Sequence, residues 1–135
     1  MLSSSHAASL IPIKKMDRAI KFYTESLGGK LNDRGQEGME DDWASVSIGK
    51  AEFWLIKPQK REKMELAYNV FMVDDMKKSV GALTKNGVKF EPGEKMGPGS
   101  KVDGPITTVP WGAKSAFLKD TEGNLLMLWE QKGTD

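Results

Sequence analysis

Residues 11–24, IPIKKMDRAIKFYT, and residues 71–84, FMVDDMKKSVGALT, are two versions of one pattern set 60 positions apart. Met16 matches Met76, Ala19 matches Ser79, Ile20 matches Val80, Tyr23 matches Leu83, and Thr24 matches Thr84. Each copy is an apolar run that breaks into a helix-period segment, and a glycine follows in each, at Gly28-Gly29 and at Gly87. A chain built from two copies of one unit places its site where the copies meet, so the repeat says where to look.

Working outward from the first copy, Ser9 to Ile13 reads as a strand. From Met16, apolar residues at 16, 19, 20, 23 and 27 fall on one face of a helix. Trp43–Ile48 and Ala51–Ile56 read as strands joined at Gly49-Lys50, an acceptable two-residue hairpin turn. With a short strand inside residues 30–42, the first module (residues 8–57) is β-α-β-β-β. Residues 58–66 form a charged linker, read as solvated rather than as an anion patch because glutamates interleave with its basic residues. In the second module (residues 67–131), Tyr68 to Val73 is a strand and Asp74 or Asp75 caps the next helix. That helix shows Met76, Val80 and Leu83 on one face and ends near Asn86-Gly87. Val88 to Phe90 is a short strand. Residues 91–114 are rich in Gly and Pro and read as a long loop, part of it strand around Ile106 to Val109, with residues 94–112 as a partial lid. Ser115–Lys119 and Asn124–Glu130 close the module.

Composition narrows the function. The 135 residues fit one domain or two small halves. A net charge of +1 argues against a nucleic-acid or anionic-membrane surface. There is no cysteine, hence no disulfide, thiolate metal site or cysteine nucleophile. MLSSSHAAS lacks the features of a signal peptide, and no segment approaches the roughly 18 apolar residues of a membrane span. The expected location is the cytoplasm. GPGSKVDG (97–104) lacks the spacing of a phosphate loop, and a serine triad is excluded because His6 is the only histidine.

Three pieces, IPIKKMDRAIKFYTESLGGKL, VDDMKKSVGALTKNGVKF and VPWGAKSAFLKDTEGNLLMLWE, give the chain its resemblance to the vicinal oxygen chelate superfamily. That superfamily includes glyoxalase I, extradiol dioxygenases, fosfomycin-resistance enzymes and bleomycin-resistance proteins. The resemblance covers roughly residues 8–130, and the last piece is its most specific part. It implies an α+β fold in which two βαβββ modules form a curled mixed sheet around a shared cavity. It also implies a homodimer.

Metal-using members of such a family carry four ligands, usually His, Gln or Glu. Carried over by the flanking motifs, these positions fall on Ala8, on Trp54 or Phe53, on Tyr68 and on Met127. None is a hard oxygen or imidazole ligand of the kind a divalent site needs. His6 lies two positions before Ala8 and reads as an exposed, non-functional histidine. The expectation is therefore no metal and no cofactor.

Strand alternation gives the candidate cavity faces. They are Ala8, Leu10 and Pro12; Glu52, Trp54 and Ile56, with Phe53 and Leu55 turned to the helix; Tyr68, Val70 and Met72; and Leu125, Met127 and Trp129. Trp111 stands at the end of the long loop. Taken singly these residues are ordinary packing. As a set they suit a flat apolar ligand, with Tyr68 supplying one oriented hydrogen bond. The candidate ligand-binding residues are thus Ala8, Leu10, Trp54, Tyr68, Trp111, Met127 and Trp129. The expected function is a metal-free, bleomycin-resistance-like protein that binds a hydrophobic or aromatic small molecule. Two alternatives stand beside it. One is an enzyme, a lyase or dioxygenase with ligands placed elsewhere or metal-free acid/base chemistry on Glu52 or Tyr68. The other is a protein whose cavity its own side chains fill.

Overall fold

A computed structural model describes residues 8–57, 69–95 and 98–131. The chain divides into two units, Met1–Lys63 and Met64–Asp135. The first unit contains β1 (Ser9–Pro12), α1 (Met16–Lys21), a π-helical turn (Phe22–Ser26), β2 (Lys30–Arg34), β3 (Trp43–Ile48) and β4 (Ala51–Ile56). Its sheet runs β1-β4-β3-β2, with β1 parallel to β4 and the other pairs antiparallel. The helix packs on one face of this sheet. There Ile11, Ala44, Val46, Phe53 and Leu55 meet Met16, Ala19, Phe22 and Tyr23, all buried. Burying each large member of this set contributes about 2 kcal/mol. The β3–β4 turn pairs Ile48 with Ala51 across Gly49-Lys50. Gly49 takes φ +58° and Lys50 does not share a positive φ, as a type II′ hairpin turn requires.

The two copies of the repeat differ at one point, and the difference is structural. The offset is 60 through Thr24 and Thr84 but 59 at Gly28 and Gly87. In the second unit, α2 (Met76–Lys85) ends in a Schellman motif. Gly87 N donates to Thr84 O at 3.0 Å, Val88 N donates to Leu83 O at 3.0 Å, and Gly87 has φ +87°. In the first unit the corresponding bond runs from Gly29 N to Tyr23 O at 2.9 Å, one residue longer. The π-helical turn takes up that extra residue, with Leu27 N bonding back to Phe22 O at 3.0 Å. It also widens the buried face, so that Phe22 and Tyr23 are both inside, edge to face at 5.3 Å.

The second unit contains β5 (Asn69–Met72), α2, β6 (Lys101–Asp103), β7 (Ile106–Thr108), β8 (Lys114–Lys119) and β9 (Leu125–Glu130), in the order β5-β9-β8-β7-β6. Here the structure corrects the reading of residues 88–114. Val88–Phe90 contributes only an isolated bridge, Phe90 to Leu118. The strand expected around Ile106 to Val109 is β7, and the expected long loop also carries β6, which pairs with β7 so that the hairpin joins the sheet beside β8. The edge of β8 is thus shared: Phe90 and Glu91 take the Leu118 end, and β7 takes the Ser115 end. Three-residue strands are too short to show alternation, and Gly and Pro dominate the composition around them.

Two acceptors fix the start of α2. Asp75 Oδ1 accepts from Lys78 N at 3.1 Å, which settles the choice between Asp74 and Asp75. Glu130 Oε1 accepts from Met76 N at 2.6 Å. Glu130, at the end of β9, therefore faces the helix, on the opposite side of the strand from Met127 and Trp129. Replacing Asp75 by alanine is expected to cost about 1 kcal/mol, read as a small fall in the thermal midpoint, because Glu130 still holds the first turn.

Candidate functional site

Strand pairing fixes which side chains share the sheet face away from each helix. In the first unit the pairs are Leu10 with Trp54, Ser45 with Trp54, Ser47 with Glu52, and Trp43 with Ile56. Phe53 is 4% exposed on the helix side, whereas Trp54 is 40% and Leu10 65% exposed. In the second unit Val70 pairs with Met127 and Met72 with Trp129, while Phe117 lies opposite Met127. Val70 is 47% and Met72 63% exposed. The repeat offset carries Leu10 onto Val70, so Trp54 and Met127 are equivalent positions of the two units. This register selects Trp54 over Phe53.

The first-unit face has an aromatic end and a polar end. Trp43 and Trp54 meet edge to face, centroids 5.8 Å apart at 86°. The Trp54 indole Nε1 donates to Glu52 Oε2 at 2.9 Å. On β2 the register slips between Leu31 and Asp33, and this bulge leaves Asn32 with no residue directly opposite it on β3. Its Nδ2 donates to Ser47 Oγ at 2.6 Å and approaches Ser45 Oγ at 3.4 Å. In the second unit Trp129 Nε1 donates to Gln131 Oε1 at 3.1 Å.

Among the residues expected from sequence, Leu10, Glu52 and Trp54 share the first-unit face, and Met127 and Trp129 share the second. Ala8 is exposed just ahead of β1. Tyr68 and His6 lie outside the described residues, as does the linker 58–66. Trp111, 60% exposed, tips the tight β7–β8 turn, which Val109 and Ala113 close with a 2.9 Å hydrogen bond. The sequence reading missed Trp43, Asn32, Ser45 and Ser47. A signal for three of them was present: counting back from the Gly49-Lys50 turn puts residues 47, 45 and 43 opposite 52, 54 and 56.

The donor chemistry at the carried-over positions does not fit a divalent metal. Ala8 offers a methyl, Trp54 an indole and Met127 a thioether, none of them a hard donor. Among the described residues, no three His, Cys, Asp or Glu side chains gather as a metal-binding group. Among the same residues no helix is long and apolar enough to cross a membrane. A groove of about 350 Å³ at the start of α1 has different chemistry, with Lys14, Lys15, Arg18 and Lys57 beside Asp17 and Asp41. Both of those carboxylates pair with Arg34, at 2.8 and 3.1 Å.

The family described as "Glyoxalase/Bleomycin resistance protein/Dioxygenase superfamily" matches residues 4–128. No curated protein sequence matches the chain. Solved structures share the fold at low identity. A glyoxalase family protein from Enterococcus faecalis is 20% identical with a TM-score of 0.71, covering 96% of this chain and 100% of its own. Lactoylglutathione lyase from Agrobacterium tumefaciens is 15% identical, TM-score 0.68, covering 96% of each. TnmS3, an antibiotic binding protein from Streptomyces sp. CB03234, is 20% identical, TM-score 0.64, covering 94% and 97%.

Proposed function

The chain belongs to the glyoxalase/bleomycin resistance protein/dioxygenase superfamily, and from that premise we propose that it binds a hydrophobic, planar aromatic small molecule without using a metal ion. The observation that carries the reading is Trp54. A large indole stands 40% exposed on the open sheet face, braced by Trp43 and flanked by Leu10. By resemblance, metal-using relatives carry a hard ligand at that position. An aromatic wall with one oriented polar group is what a small planar ligand needs. The exposed Val70 and Met72 of the second unit support the same chemistry, since thioethers adapt to varied shapes. A neighbour of the same fold, TnmS3, is an antibiotic binding protein. The proposal includes a homodimer, from the resemblance, and a cytoplasmic location, from the cysteine-free, near-neutral composition.

A thermal-shift screen with planar aromatic compounds tests the reading. A ligand at a hundred times its Kd raises stability by about 2.7 kcal/mol. Trp54→Ala is expected to weaken any hit by about tenfold through lost area and ring contact. A uniformly flat screen would favour the filled-core alternative. Protein purified without chelator is expected to carry substoichiometric metal, and one divalent ion per chain would return the family's metal chemistry to the site.

A further inference from the structure

Resting on that reading of the Trp54 face, we infer that the planar ligand carries a phenolic hydroxyl, and that Asn32 and Ser47 receive it. The Trp54 indole N–H is already given to Glu52 Oε2 at 2.9 Å, so the ring offers its face and the polar contact comes from elsewhere. Asn32 and Ser47 supply it. At the β2 bulge the Asn32 amide reaches across to β3, where Nδ2 donates to Ser47 Oγ at 2.6 Å and to Ser45 Oγ at 3.4 Å. Those bonds use the amide hydrogens and leave the other half of each group. Oδ1 of Asn32 is an acceptor, and the Ser47 hydroxyl hydrogen is a donor. Among the described residues neither side chain makes a further hydrogen bond, and Asn32 is exposed.

Position and hydrogen-bond pattern select the substituent. Ser45 links the two parts of the face: it pairs with Trp54 on β4, and its Oγ lies 3.4 Å from the Asn32 amide on the β2 side. Strand spacing sets the β2 and β4 backbones about 10 Å apart. A fused two-ring system on Trp54, with a hydroxyl at its far edge, bridges that span. An acceptor beside a donor complements a group that both donates and accepts, as a phenolic hydroxyl does. A halogen in its place cannot donate to Oδ1, and leaves that acceptor stripped of water and unpaired. In the second unit Phe117 stands opposite Met127, where the first unit has Ser45 opposite Trp54. Stacking thus belongs to Trp54, and the direction in which the ligand lies belongs to Asn32.

The probes are 2-naphthol, neutral at pH 7 as a phenol is, and 2-fluoronaphthalene, which has the same ring system and no hydroxyl. Kd is measured by calorimetry, with the protein titrated into the compound. The naphthol is expected to bind about tenfold tighter than the fluoro compound. Asn32→Ala is expected to bring that ratio close to one, and Ser47→Ala to reduce it by loosening the amide. Trp54→Ala is expected to weaken both probes. Equal binding of the two probes to the unaltered protein, or a preference that survives Asn32→Ala, would overturn this inference and leave the aromatic site standing. Absence of binding by both probes would overturn both readings. Thermal melts of each variant confirm that it is folded.

Discussion

Asp120→Ala is expected to destabilise the protein by about 4 kcal/mol, the largest loss among the substitutions considered. Asp120 is 6% exposed, and its carboxylate organises the β8–β9 turn. Oδ1 accepts from Glu122 N at 2.9 Å and from Asn124 N at 2.7 Å, and Oδ2 accepts from Asn124 Nδ2 at 2.8 Å. Alanine would leave these donors without their acceptor in a buried turn, each costing roughly 1–3 kcal/mol. Asp120→Asn should fall between the two, since one oxygen remains while an amide then faces the Asn124 amide. Urea unfolding followed by circular dichroism gives the comparison. A loss under about 1 kcal/mol for alanine would mean that water replaces the carboxylate and that the turn is not held as described. Met127 and Trp129 sit on the strand this turn launches, so under the proposed function affinity for a planar aromatic probe should drop with it.

Gly29→Ala is the second large effect, about 3 kcal/mol. The cause is space. An added Cβ would lie 2.6 Å from Tyr23 O, 2.8 Å from Ile48 Cγ1 and 3.0 Å from Ser47 O. Two of those atoms are backbone, so they can yield only if the π-helical turn or β3 moves. The neighbouring Gly28 is required for a different reason. Nothing crowds it, but its φ of +82° disfavours any side chain. Thermal melts should show Gly29→Ala falling by roughly 10 °C. A fall of only a degree or two would mean that the chain after the π-helical turn relaxes freely.

The helices and the β3–β4 hairpin were legible because each rests on a local rule: a 3.6-residue period, a capping aspartate or a two-residue turn. The π-helical turn was hidden, since a one-residue insertion shifts the period without abolishing it. Its trace is the change of offset between Thr24 and Gly28. β7 was legible as the strand around Ile106, but β6 was hidden because it is three residues long and lies among glycines and prolines. On the candidate site, Trp54 and Leu10 emerged from alternation alone. Asn32 did not, because a bulge rather than alternation directs it, and a polar residue on an edge strand looks solvated. The cap that Glu130 places on α2 was hidden for a related reason: the two lie 54 residues apart.

That distant cap bears on the order in which the protein can assemble during translation. In its sheet β5 is bonded to β9 alone, and the first N–H of α2 waits for Glu130. Until residues 125–130 have left the ribosome, the opening strand of the second unit has no sheet to join and the helix lacks its Glu130 cap. The first unit closes sooner, as β4 reaches β1 about 45 residues after it. A ribosome pausing between the two would expose a finished first half and an unfinished second, which makes the late half the one that chaperones would need to guard.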